Sequence, residues 1–475
     1  MKKLIDKYVP AISLGCAVIA LWASWFFSYP YFLRWLEGYS FFCTLPDFTR
    51  IHYDLPADLP MYAGSFLLQF YSWPAAGALI QAVIAVLFVI CIWESIKRFF
   101  DCPESLIWVA FLPLPVFVYY QLSDLTLARA LTWLMMAFAA MVLVMLLTVK
   151  KKRFIRLPRF MSNKVVSLAV SLLIVSVSAG FLIKGTDMTR GYEEVARLEY
   201  FGEHEEWGRI LETVSKQDAV NNEYQRKYVL LALLNEGKLA DYAFSYGLSD
   251  SEDFLFYNIQ EPFCLGFNVL FYNSLDMYNP AIYNTYQEAV QSIPGLSFDT
   301  VRYLADVYLK LGDHALASKY LDLLSHSTCH RRWVKERLTL LESLKGKDAT
   351  YPQSGPLFSL ESFLPDISSM SDRYPYDRRY ADLLLCGVLA EKDGSTFYNI
   401  FKVISRTQYP DGQQIPRLYQ EALLLVASQN PEVLNRYKID DEVWKRFADF
   451  TELMQKGQTS QAKRKYAGSY WAYVY

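Results

Sequence analysis

Two groups of residues in this chain are of the types that carry chemistry. The first lies within a stretch of about 47 residues from Ser28 to Pro74 and comprises Arg34, Glu37, Asp47, Arg50, His52, Asp54 and Asp58, with Asp124 further along. Carboxylates gathered beside a lipid surface can act as general bases or metal ligands in lipid-linked sugar or phosphate chemistry, which makes Glu37, Asp47, Asp54 and Asp124 the catalytic candidates. Their ordinary role is that of solvated loop charges, with Arg34 and Arg50 pairing with carboxylates, and no fixed spacing marks a site. The second group is His326-Ser-Thr-Cys329-His330, three possible ligands within about one helical turn, a spacing that suits a transition metal. It lacks a fourth ligand at matching spacing, so the expectation is no bound metal and no other cofactor. The chain carries no Walker A segment, no dinucleotide glycine signature, no His-Glu-x-x-His and no Gly-x-Ser-x-Gly.

The elements that must hold these residues follow from hydropathy. A hydrophobic content of 53% and a mean hydropathy of +0.10 conceal five apolar runs near the N-terminus: Val9–Phe27, Ala75–Trp93, Leu106–Tyr120, Leu127–Thr148 and Val165–Ile183. All but the third reach the ~20 residues that cross a hydrocarbon core of about 30 Å. The third is shorter and contains Pro113 and Pro115, and reads as a kinked span, with a re-entrant segment as the alternative. Lys2, Lys3 and Lys7, then Lys97 and Arg98, then the cluster from Lys150 to Lys164 fall on one side if all five runs cross. The excess of Lys and Arg places that side in the cytoplasm, with the N-terminus inside and the chain after the fifth run outside. The first run ends in Trp22, Trp25, Phe26 and Phe27 without a small-x-small cleavage pattern, and is expected to be a retained span. Met61–Trp73 is apolar but too short to span, and reads as an amphipathic helix in the outer interface.

Residues 185–475 contain no further span and are patterned as helical hairpins. In Arg302–Leu321, Leu304, Ala305, Tyr308 and Leu311 form one face, Gly312 turns the chain, and Ala315, Tyr320 and Leu321 begin the return. This segment resembles a tetratricopeptide repeat, with weaker copies around Gly202, Gly237 and Gly457. Residues 346–376 interrupt the pattern, and a helix resumes from Asp377 to Ala390. This part holds 31 of the 47 Lys and Arg and 40 of the 49 Asp and Glu, a net charge near −9 that argues against nucleic acid. Cys43, Cys264, Cys329 and Cys386 would face an oxidising compartment, where pairing is permitted but not assignable from sequence.

Pro56–Ile80, Tyr374–Leu384 and Tyr419–Leu424 resemble signature segments of an uncharacterised family of bacterial multi-spanning proteins. That resemblance implies an inner-membrane protein and carries over no catalytic residue. The expectation is an all-α protein, a five-helix transmembrane bundle (residues 1–184) followed by a degenerate tetratricopeptide-like α-solenoid (residues 185–475) outside the cytoplasm. Its expected function is that of a membrane-anchored scaffold, binding peptide or glycan through its repeat surface, with the bilayer and an envelope protein or polysaccharide-assembly enzyme as partners. Tyr192, Tyr200, Tyr224, Tyr257, Tyr272, Tyr278, Tyr283 and Tyr286 are either contacts for that ligand or knobs of the solenoid core. The rival expectation is a membrane enzyme acting on a lipid-linked substrate.

Overall fold

The computed structural model describes residues 2–148, 155–156, 163–257, 261–292, 295–344, 363–410 and 414–475. Most of the basic cluster 150–164 and most of the interruption 346–376 lie outside the described residues. The rest is helical apart from loops and a two-residue parallel bridge, Phe100 and Asp101 against Ile155 and Arg156. Packing gathers the chain into two compact units, Met1–Arg197 with Ala289–Gln353, and Leu198–Glu288 with Ser354–Tyr475. Contacts thus divide the chain differently from hydropathy, which changes at about residue 185.

Among its described residues the first unit holds five helical segments long and apolar enough to cross a membrane: Tyr8–Ser28, Pro74–Phe99, Glu104–Leu122, Ala128–Thr148 and Lys164–Lys184. The third is broken into a 3-10 turn Glu104–Leu106, a helical turn Trp108–Phe111 and the helix Leu114–Leu122. Pro113 and Pro115 account for the break, because neither offers an N–H to the helical ladder. Pro74–Phe99 is the central span, 56% buried over its most apolar stretch, whereas Ala128–Thr148 is 11% buried and turns Met136, Phe138, Leu146 and Leu147 outward. Such a face suits acyl chains, and lipid drives no helix together, so the spans meet where side chains are small: Ala17, Ala78, Ala82, Ala85 and Ser171 are completely buried. A buried polar pair joins two of them, Gln121 Nε2 donating to Gln81 Oε1 at 2.8 Å and to the Gln81 carbonyl at 3.1 Å.

The loop between the first two spans is ordered by its prolines. Pro30, Pro46, Pro60 and Pro74 each occupy the first turn of a helix, where the missing N–H has no partner to lose. The segment expected at the interface forms the helix Leu59–Leu68 and a 3-10 turn Gln69–Ser72. It buries Gly64, Ser65, Leu68, Gln69 and Tyr71 against protein while Phe66 and Trp73 face outward.

The hairpin read in the sequence forms as Phe298–Leu311 and His314–Ser325, followed by the helix Arg331–Leu344. Gly312 has φ +75°, the left-handed conformation that ends a helix and that a Cβ disfavours. Leu304 and Ala305 are buried as expected, but the return face begins at Ala317, with Ala315 exposed. This three-helix segment does not stand apart from the spans. Phe298, Val301, Ala305, Leu321, Leu324 and Val334 share one core with Phe41, Phe42 and Cys43 of the first loop.

In the second unit the helices Glu223–Asn235, Arg378–Ala390 and Arg417–Ala427 are buried along most of their length. Asp382 is pushed up to about 6 by burial, against the pull of Arg378 and of a 2.7 Å hydrogen bond from Tyr419. The aromatic C-terminus packs inward: Tyr470 and Trp471 are buried, and the Tyr470 amide donates to Glu421 Oε2 at 2.7 Å. Of the expected ligand-contact tyrosines in this unit, Tyr272 and Tyr278 are buried in the core, whereas Tyr283 and Tyr286 are 46% and 42% exposed. Among the described residues the seven cysteines form no disulfide.

Candidate functional site

Glu37 lies near the end of the helix Pro30–Tyr39 and is 2% exposed. Its partners come from 265 residues or more away. Arg302 reaches it from Phe298–Leu311 with Nη2 3.2 Å from Oε2 and Nη1 3.4 Å from Oε1, a two-pronged contact that fits the planar fork of the guanidinium. Asp299, one turn earlier on that helix, accepts from the same Nη2 of the guanidinium. His330 places Nε2 2.9 Å from Glu37 Oε1, close enough for electrostatic attraction but off the hydrogen-bonding line. Its ring rests 4.2 Å from that of Phe298, which in turn packs on Phe41 at 4.9 Å.

Burial alone would raise the Glu37 carboxyl, but Arg302 and His330 together hold it below the ordinary carboxylate range. A general acid or base needs a proton affinity near the working pH. A fully buried carboxylate kept ionised by a fixed cation suits a clamp better than proton transfer. Around it, Phe298 N donates to Ser40 O at 2.8 Å, Thr44 N to His326 O at 3.0 Å and Thr328 N to Gln69 Oε1 at 3.0 Å. These bonds fasten residues 37–69 to residues 298–330.

The remaining candidates are dispersed. Asp47 and Asp54 are exposed on the loop. Asp124 is 5% exposed and caps the fourth span: Oδ1 accepts from Thr126 N at 3.2 Å, and Oδ2 from Ala130 N at 2.9 Å. His330 points inward to Glu37, while His326 is half-buried and Cys329 exposed, so the His-Ser-Thr-Cys-His segment does not converge on one point. Among the described residues no group of three His, Cys, Asp or Glu is arranged to hold a metal ion. Arg302 and Gln69 escaped the sequence reading because nothing local to either announces a partner so distant in the chain.

A second arrangement escaped it too, although its signal was local. Arg190, Glu193, Glu194 and Arg197 follow the fifth span at spacings of three, four and seven, one face of the helix Asp187–Glu203. With Ser28, Tyr29 and Ile183 they line a cleft of about 280 Å³. Tyr29 donates to the Leu182 carbonyl at 2.7 Å, so the ends of the first and fifth spans meet beneath it. Glu193 Oε2 accepts from Phe32 N at 2.7 Å, capping the helix Pro30–Tyr39. Burial nonetheless pushes Glu193 up to about 7, outweighing the amides of Phe32 and Tyr31 and the charge of Arg197.

No curated protein and no solved structure matches this chain. A family profile does, in two segments covering residues 7–183 and 153–475, and so includes both the spans and the helices after them. The chain belongs to DUF6057, a family of unknown function.

Proposed function

We propose that this protein is a membrane-anchored interaction scaffold of the bacterial inner membrane, with its helical, tetratricopeptide-like part presented outside the cytoplasm to an envelope protein or polysaccharide-assembly partner. The observation that carries the reading is the clamp at Glu37. The acidic residue best placed for lipid-linked chemistry is engaged in joining the membrane loop to the hairpin 298–325, which is what an anchor requires. Asp124 is likewise engaged, as a helix cap. Tyr283 and Tyr286, exposed one turn apart on the helix Tyr278–Gln291, are suited to stack on an extended peptide or a sugar ring.

The clamp also supports five crossings. The loop after the first span and the chain after the fifth share a face only if an even number of crossings separates them, which favours a broken third segment that crosses. The positive-inside tendency then puts that face outside. A phosphatase reporter fused after Lys184 should be active and one fused after Arg153 inactive; the reverse pattern would sink the orientation. For the scaffold itself, crosslinking in the native envelope should recover a partner with the wild-type chain that the Tyr283→Ala/Tyr286→Ala variant loses. Identical recovery from both would reject this surface.

A further inference from the structure

We propose that the cleft formed by Tyr29, Ile183, Arg190, Glu193 and Arg197 binds the phosphate-bearing headgroup of a membrane lipid. Its position is the first argument. Ser28 closes the first span and Ile183 lies in the last turn of the fifth, so the cleft opens at the bilayer rim, where headgroups lie. Phe27 and Ile183, 77% and 60% exposed, offer an apolar flank beside it for an acyl chain. The volume of about 280 Å³ is near the small end of ligand pockets, enough for a headgroup but not for the chains.

The charge arrangement is the second argument. Arg190 is exposed and makes no salt bridge among the described residues. Arg197 keeps its Nε buried without a hydrogen-bond partner. Glu193, the acid that would most simply answer both, is turned to the amides of Phe32 and Tyr31. Two guanidiniums with donors to spare, on one helix face and two turns apart, match the oxygens of a phosphate diester, and Arg is the residue whose fork fits phosphate best.

The test uses the full-length protein in a maltoside detergent, which carries no phosphate. Native mass spectrometry would compare phosphatidylethanolamine, phosphatidylglycerol and a diacylglycerol of the same chains, and a thermal-shift titration would use inorganic phosphate. The wild type should retain the phospholipids and discriminate against diacylglycerol. Arg190→Gln/Arg197→Gln should weaken phospholipid retention by about tenfold or more, the loss expected for charged hydrogen bonds. Arg190→Gln alone guards against misfolding, since its side chain has no structural partner to lose, and Arg332→Gln, 93% exposed, is the control. Equal phospholipid retention by wild type and both cleft variants would overturn the proposal, as would equal retention of diacylglycerol. Saturable stabilisation by inorganic phosphate without lipid discrimination would assign the cleft to free phosphate and overturn the lipid assignment.

Discussion

Glu37→Gln removes one charge and almost no volume, so it isolates the electrostatics of the clamp. The side chain of Glu37 is 2% exposed, that of His330 6% and that of Arg302 25%. Breaking a buried ion pair by neutralising one partner costs about 3–5 kcal/mol, because the other charge stays buried without compensation. Here Arg302 keeps Asp299 and partial access to water, which places the expected loss at the lower end, about 3 kcal/mol. For a cooperative unit of some 200 residues that is a fall in Tm of roughly 6–12 °C. The assay is thermal unfolding of the full-length protein in detergent, followed by intrinsic fluorescence, for wild type, Glu37→Gln, Arg302→Gln and the double variant. The double variant should be less destabilised than the sum of the singles, with a coupling of about 1–3 kcal/mol. The sign with pH also follows. Glu37 has a native pKa below its ordinary 4.5, so the unfolded chain binds more protons in that window. Stability from the clamp is therefore present above pH 4.5 and lost as pH falls through the native pKa, and Glu37→Gln should flatten this acid limb. A Glu37→Gln protein unfolding within about 1 °C of wild type, with no coupling to Arg302, would refute the clamp.

Glu193 should give the opposite slope in a different window. Its native pKa of about 7 exceeds the ordinary 4.5, so the native state holds the extra proton and stability declines as pH rises from 4.5 to 7. The decline attributable to Glu193 is at most about 3 kcal/mol, less where water reaches the group. Asp382 adds to the wild-type slope, so the comparison is wild type against Glu193→Gln, and a Tm difference that does not narrow between pH 7.5 and pH 4.5 would contradict the assignment. Gln121→Leu leaves the buried Gln81 amide without its interspan partner and should destabilise the bundle by about 1–2 kcal/mol; no shift in unfolding would mean that the pair is not structural. Deleting Tyr470–Tyr475 strips Tyr470 and Trp471 from the second unit and takes the Tyr470 amide from Glu421 Oε2, so the truncated chain should unfold earlier and aggregate, and unaltered unfolding would show the tail to be dispensable. Residues 185–475 expressed alone would leave Arg302 and His330 without Glu37 and uncover Phe298. They should unfold below the temperature of the same residues in the full chain, and equal stability would show that the first loop contributes nothing.

The sequence by itself determined the elements. Apolar runs of about 20 residues admit only helices in a bilayer, because every backbone N–H must find its partner within the segment, and Pro113 marked the one helix that would break. Gly312 announced a turn and the spacing around it a hairpin, since helical period and left-handed glycine are local properties. Even the Arg190–Arg197 face was legible, one helical face written in spacings of three, four and seven. What the sequence left open was the partner of each element. Asp47, Asp54, Asp124, His326 and Cys329 share residue types with Glu37 and His330, yet only the last two meet, because a loop near residue 37 and a helix start near residue 330 are brought together by the burial of Phe41 against Phe298. Whether a carboxylate is a solvated charge, a helix cap or a buried clamp depends on its desolvation and on which cation lies within about 4 Å, and both are properties of tertiary packing.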